Sequence, residues 1–430
     1  MSTSAATRAP GRVGSSLGRA HYVILVLLAI YVLSYLDRQI VAILAEPIKQ
    51  DLALSDTQIG LMAGLAFSIF YALMGFPLAR LADNPASNRV WLISIALTFW
   101  SVMTAFCGLS QNFVQLLLAR FGVGIGEAGS TPAAHALISE TVEPHRRATA
   151  MAVYGTGVPI GSLLAFVIGG SLADAFGWRS AFLFMGIPGV VLALIFWLTV
   201  KDPRRMFASE TLARNRIPFG EAVKELAGSK VFVNLFLCAS SIAFLGFGKS
   251  MWTASFFIRS YDLSPGQVGL WYGLGSGLAG VFGTFAGGML ASRFALRRRS
   301  YLLWAPAIGL TPSIPLMILG YLGGDWVVSL ILVCLGTVFT NIYYGPMFGS
   351  VQGVIRPANR ATAVAVISFG QNMIGLGLGP LAFGALSDLL QPHAGEESLR
   401  WVLVATSALW VVPAALLWRA GVRLSAELRH

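Results

Sequence analysis

An all-α membrane protein, with twelve transmembrane helices in two pseudo-symmetric six-helix bundles, is the fold this sequence predicts. Three observations predict it: twelve apolar stretches of bilayer length, basic residues gathered on alternate connections, and two motifs that recur half a chain apart. Of 430 residues, 56% are hydrophobic and 11% charged. That leaves too little polar surface to cover a water-soluble core, so the solvent is a bilayer.

Residues 1–20 hold Ser, Gly, Ala and Arg without an acid, and predict a cytoplasmic tail. The apolar stretch that follows exceeds the core of a cleaved signal, about 7–15 residues, and predicts a retained first helix. At about 20 apolar residues per crossing, spans fall at 21–45, 58–79, 90–109, 113–139, 147–171 and 179–200, an N-terminal bundle over 21–200. Residues 201–230 are the longest polar interval, with seven basic residues. They predict a cytoplasmic linker, in which Phe219 to Lys230 suits a short amphipathic surface helix or a flexible connection equally. Spans at 231–258, 266–291, 300–321, 325–353, 361–388 and 399–419 make a C-terminal bundle over 231–419, and 420–430 is a cytoplasmic tail.

Charge orients the chain. Of 30 basic residues, 23 fall on the tails and connections of one side, whereas Lys49, Arg179, Arg259 and Arg400 are alone on the other. Positive charge is retained inside, so both termini are expected in the cytoplasm. The net charge of +11 resides in short loops such as Arg297 to Arg299, which suits a membrane surface better than nucleic acid. Cys107, Cys238 and Cys334 lie in apolar spans with no CxxC and no His cluster, the pattern of small buried hydrophobes; no metal or cofactor is expected. No N-x-S/T site occurs, which favours a bacterial plasma membrane.

The halves echo one another. Arg147-Ala-Thr-Ala-Met-Ala-Val153 recurs as Arg360-Ala-Thr-Ala-Val-Ala-Val366, 213 residues later, and Leu172-Ala-Asp174 as Leu386-Ser-Asp388. Leu54-Ser55, Gln58 and Gly60-Leu61 recur as Leu263-Ser264, Gln267 and Gly269-Leu270. Parallel repeats of this kind belong to transporters whose halves rock about a midplane site.

Over its whole length the chain resembles the major facilitator superfamily. Gly75-Phe-Pro-Leu-Ala-Arg-Leu-Ala-Asp83 resembles that superfamily's loop between helices two and three, and Gly288-Met-Leu-Ala-Ser-Arg293 is a weaker copy without the acid. Gly177-Trp178-Arg179 resembles a further signature, and the fifth span's Gly155, Gly157, Pro159 and Gly161 resemble the glycine-proline motif of exchangers. Gly75, Arg80, Asp83, Arg147, Pro159 and Arg360 are the expected gating positions. Tyr35-Leu-Asp-Arg38, Gly60-Leu-Met-Ala-Gly64 and Arg120-Phe-Gly-Val-Gly-Ile-Gly-Glu-Ala-Gly129 resemble the Spinster branch. That resemblance implies transport of sphingosine phosphate, lysophospholipids and related amphiphiles. It also implies that the first, second, fourth and fifth helices of each half surround a central cavity.

Five charges survive inside apolar spans: Asp37, Arg38, Arg120, Glu127 and Lys249. Each costs about 2.5 to more than 10 kcal/mol in hydrocarbon, so each should face water or a partner. At 1.5 Å per residue Asp37 lies about 12 Å below the end of its span and Arg120 about 10 Å below the end of its own. Glu127 follows Arg120 by nearly two turns on one face, while Asp37 and Arg38 point about 100° apart. Either these groups lock helix packing or they work: Glu127 and Asp37 as proton carriers, Arg38 and Arg120 as guanidinium forks for a phosphate or carboxylate. Lys249 adds a positive contact from the second half or snorkels to the interface. Asn341, Tyr343, Tyr344, Gln371 and Asn372 either line the cavity or bond between helices, and His135 either relays protons or packs.

Gly124-Ile-Gly-Glu-Ala-Gly129 matches GxGxxG but sits mid-helix, where its glycines suit close helix contact rather than a dinucleotide. No GxxxxGK[ST] occurs, and no nucleophile has a base nearby, so neither an ATP-driven pump nor an enzyme is expected. The expected function is secondary transport of an anionic amphiphile by a monomer among membrane lipids, coupled to protons. A small organic anion or sugar acid is the alternative cargo.

Overall fold

The structure is a computed structural model that describes residues 17–84, 87–202, 219–295, 300–356 and 359–427. The described residues form helices and connecting turns. Among the described residues, nine helical runs are long and apolar enough to cross a membrane. Two of them, Thr149–Thr199 with 51 residues and Thr362–Leu424 with 63, far exceed the ~20 residues of one crossing. Each breaks at a glycine with positive φ, Gly177 at 81° and Gly395 at 57°. There only glycine escapes the clash that a Cβ would make with the backbone. Phe113–Glu127 and Ser130–Thr141 form a further apolar stretch, interrupted at Ala128 and Gly129.

Helices overrun several expected spans. The first runs Leu17–Leu52, beyond the expected end at 45 and straight through Pro47. The last runs Val411–Glu427, so 420–427 continues a helix instead of forming a separate tail. Apolar runs mark the hydrocarbon-length segment, and a helix continues past it as long as its polar end finds water or partners. Within the linker, Phe219–Gly228 is the helix, with Ala222 and Leu226 buried and Glu225 pairing with Arg356 at 2.7 Å. Residues 203–218, most of 1–20, and Arg297 to Arg299 lie outside the described residues.

Lipid-facing stripes are plain where one face is polar-free and open. On Arg89–Leu109, Trp91, Ile95 and Phe99 recur every fourth residue and are exposed. Such a row has no aqueous explanation and suits acyl chains.

Side-chain pairs sort the connections onto two ends. Arg259 reaches Glu46 and Asp56, Arg179 reaches Asp51, and Arg400 lies 5.6 Å from the Phe256 ring. Lys49, Arg179, Arg259 and Arg400 therefore share one end, called here the far end. Tyr22 meets Thr199 at 2.8 Å and Arg423 meets the Lys230 carbonyl at 3.3 Å, so residues close to both termini share the near end. The apolar core falls into two clusters. One cluster stays in the first half and includes Leu27, Ile93, Trp100, Leu137 and Phe196. The other joins both halves, from Ile43, Ile59, Phe166 and Phe182 to Trp252, Phe257, Val268 and Phe383.

Candidate functional site

The spacing Ser34, Asp37, Arg38 places a hydroxyl and a guanidinium one turn apart on a face of helix Leu17–Leu52. Helix Phe113–Glu127 brings Glu127 against them. Arg38 Nε donates to Glu127 Oε2 at 2.6 Å, and Ser34 Oγ donates to the same oxygen at 2.7 Å. Two turns earlier, Arg120 Nη1 donates to the Asp37 backbone carbonyl at 3.1 Å. The Asp37 side chain lies among Arg120, Glu127, Thr104 and Trp100. Asp37, Arg120 and Glu127 are 3%, 1% and 0% exposed, a depth at which an ion without a partner would not persist. The four charges thus form one connected cluster.

Glycines make room for it. A Cβ on Gly126 would lie 2.7 Å from the Trp100 Cβ, and one on Gly124 would lie 2.6 Å from the Phe67 carbonyl oxygen. These are close-packing glycines, which agrees with the rejection of a dinucleotide loop.

The cluster is also incomplete. Arg38 Nη2, Arg120 Nε and Glu127 Oε1 are buried with no hydrogen-bond partner among the described residues. Aromatic rings surround Arg38: its Cζ lies 5.2 Å from the Tyr35 centroid, 5.1 Å from Phe67 and 4.6 Å from Tyr71. Such faces attract a guanidinium while leaving its N–H edge for other partners. Tyr31 stacks on Tyr154 at 4.4 Å and meets Tyr35 edge-on at 5.2 Å, which extends the aromatic wall.

Arg38 reaches a pocket between the two halves of the chain. Tyr35, Arg38, Gln39 and Ala63 line one side, and Phe247, Ser250 and Asn372 the other. Asn372 and Gln371 open a π-helical segment, Gln371–Leu378, which packs on a second one, Leu61–Leu65. Wide π turns of this sort collect at functional sites.

The remaining predicted residues lie elsewhere. Lys249 is buried and donates to Thr337 Oγ1 at 2.9 Å, and it is not among the residues that line the pocket. Asn341 bonds back to the Thr337 carbonyl at 2.8 Å, Tyr344 is half exposed, and Tyr343 is buried beside it. Gln371 is partly buried, and His135 is exposed with its ring edge-on to Tyr154. Among the gating positions, Gly75 is partly buried, Arg80 and Pro159 are exposed, and Arg147 bonds the Val142 carbonyl at 3.1 Å. Asp83 ends helix Ala66–Asp83 and Arg360 starts Arg360–Gly370, but their side chains lie outside the described residues.

Sequence reasoning missed Ser34, Tyr31, Tyr71, Tyr154 and Phe67, and gave Tyr35 only as part of a motif. Ser34 was within reach, four residues before Arg38 on the same face. The aromatic residues were not, because an aromatic in an apolar span looks like any other core residue.

Residues 27–380 match the sequence profile of the Major Facilitator Superfamily. An MFS-type efflux pump of Mycolicibacterium smegmatis is 35% identical over 419 residues, covering 95% of this chain and 94% of the pump. The hexuronate transporter of Bacillus subtilis is 25% identical, covering 91% and 93%. The crystal structure of a bacterial homologue of the human lysosomal transporter Spinster, inward-facing and unoccupied, superposes with a TM-score of 0.86. It is 32% identical, over 95% of this chain and 98% of that one.

Proposed function

Because this chain belongs to the Major Facilitator Superfamily and is Spinster-like, we propose that it is a proton-coupled transporter of an anionic amphiphile, with Arg38 holding the headgroup and Glu127 carrying the proton. The observation that carries this reading is the Arg38 to Glu127 ion pair, beside a pocket between the halves that Arg38 helps to line.

The mechanism follows from competition for one cation. With Glu127 ionised, its Oε2 binds Arg38 Nε and withholds the fork from a ligand. With Glu127 protonated, the ion pair is gone, and Arg38 presents Nε and Nη2 to a phosphate or carboxylate oxygen. Proton and anion then favour one another's binding, since linkage is reciprocal. Asn372 and Ser250 face Arg38 across the pocket and offer polar contacts to the rest of the headgroup, while Phe247, Met251 and Leu376 suit an acyl chain. Arg120 and Asp37 hold the two helices in register beneath.

The alternation of basic loops orients the near end, with both termini, to the cytoplasm of a bacterial plasma membrane. Twelve crossings follow if the two overlong runs fold back at Gly177 and Gly395. The near-end residues Arg80, Asp83, Arg147 and Arg360 then serve to close that face in the alternative state.

Transport of a labelled lysophospholipid into proteoliposomes tests the reading. Glu127→Gln is expected to flatten the pH response; an unchanged response rejects the proton assignment. A second reading, a small organic anion at the same arginine, is favoured by the likeness to a hexuronate transporter. Competition separates them, because lysolipid transport is insensitive to excess glucuronate only if the acyl chain is recognised.

A further inference from the structure

The two sequence echoes meet each other in space, across the halves. Asp388, at the end of the second-half echo, accepts from the backbone N–H of Asp56 at 3.0 Å and of Thr57 at 2.7 Å, and from the Thr57 hydroxyl at 2.6 Å. Asp56 opens a first-half helix. Asp174, the first-half counterpart of Asp388, accepts from the Ser264 hydroxyl at 2.6 Å and from the Gly266 N–H at 2.9 Å, at the start of the second-half helix Pro265–Ala295. Each half therefore caps a helix of the other with an aspartate, and both caps lie at the far end.

Neither helix needs a foreign cap. Ser55 and Gln58 bond each other's backbone N–H at 3.2 and 2.9 Å, and Ser264 and Gln267 do the same at 3.2 and 3.1 Å, so each start carries its own capping box. What the aspartates add is a charge on a helix N-terminus of the opposite half, whose freed N–H groups water can serve once the halves part. Such bonds hold a closed state without making it permanent.

We infer that Asp388 and Asp174 are reciprocal latches, positioning residues that hold the far end shut and must both let go in the transport cycle. This rests on the alternating-access reading of the chain, not on which cargo or proton carrier it uses. The latches are unequal. Around Asp388, Arg259 forks onto both oxygens of Asp56 at 2.8 and 2.7 Å and reaches Glu46 at 2.7 Å, while Lys49 and Ser387 each reach Asp56 at 2.7 Å. The Asp174 bonds are exposed. Glycines press both seams together: a Cβ on Gly384 would stand 2.3 Å from the Asp56 carbonyl oxygen, and one on Gly269 2.1 Å from that of Phe166.

The test is side-specific labelling of a Ser250→Cys reporter in the pocket, with Cys107, Cys238 and Cys334 replaced, using an impermeant maleimide on membrane vesicles of known orientation. Asp388→Asn is expected to speed labelling from the far face about fivefold and to slow it from the near face. Asp174→Asn should do so about twofold, each a population shift of the size that one such bond supports. Asp388→Glu should restore most of the wild-type rate. A fold defect would instead raise labelling from both faces. Unchanged far-face labelling in both variants, or an equal rise on both faces, overturns the inference. Because no substrate or proton gradient is applied, that outcome leaves the Arg38 and Glu127 assignments standing.

Discussion

Each half of the chain buries a cation on a long helix: Arg38, the twenty-second of 36 residues in Leu17–Leu52, and Lys249, the twentieth of 32 in Lys230–Tyr261. Their partners differ. Arg38 meets the carboxylate of Glu127, whereas Lys249 meets the hydroxyl of Thr337, whose own proton goes to the Val333 carbonyl at 2.8 Å. A hydroxyl carries no charge near neutral pH, so only the first of the two is an ion pair. On the proposed mechanism, the difference is that only the first cation has a partner able to compete with the cargo for it.

The largest break in this comparison is expected from Arg38 itself. Arg38→Lys keeps the charge but loses the planar fork and its fit among the Tyr35, Phe67 and Tyr71 rings. Transport efficiency should fall by roughly a hundredfold, the scale of a lost charge-assisted pair. Initial rates in proteoliposomes measure it, and a loss below about threefold would show that the fork is not the headgroup contact.

A smaller effect sharpens the same pair. Ser34 donates to the oxygen of Glu127 that also binds Arg38, so that oxygen has two donors. Ser34→Ala leaves that oxygen to Arg38 alone, and initial transport rates in proteoliposomes should fall by roughly three- to tenfold, the scale of one hydrogen bond to a charged group. An unchanged rate would show that Ser34 does not support the pair.

Much of the cluster was legible because ionisable residues in apolar spans are rare and conspicuous, so Asp37, Arg38, Arg120 and Glu127 stood out. Their pairing was not. Spacing puts Arg120 and Glu127 on one face, but it does not say that Arg120 would choose the Asp37 carbonyl and leave Glu127 to Arg38. That choice depends on how far two helices slide past each other, which the small residues Gly124 and Gly126 permit and no periodicity encodes. The echoes of Leu172-Ala-Asp174 and Leu54-Ser55 were legible as repeats, yet their meeting across the halves was not, since a repeat reports ancestry of a segment and not what faces it. The π turns at Leu61–Leu65 and Gln371–Leu378 left no mark in composition.

The least disturbance should come from Lys249. No ion pair among the described residues includes it, it is 7% exposed, and it is absent from the pocket lining. Methionine matches its length and carries no charge to desolvate, and replacing a buried ion with an apolar side chain of similar volume is often neutral or stabilising. Lys249→Met should therefore keep transport within about twofold while raising the unfolding midpoint by roughly 2–4 °C, read by thermal shift in detergent. The orphaned Thr337 hydroxyl still bonds Val333, so no new unsatisfied group offsets the gain. Should the variant lose transport and keep its stability, the second half would hold a working cation of its own, and the contrast drawn between the halves would fail.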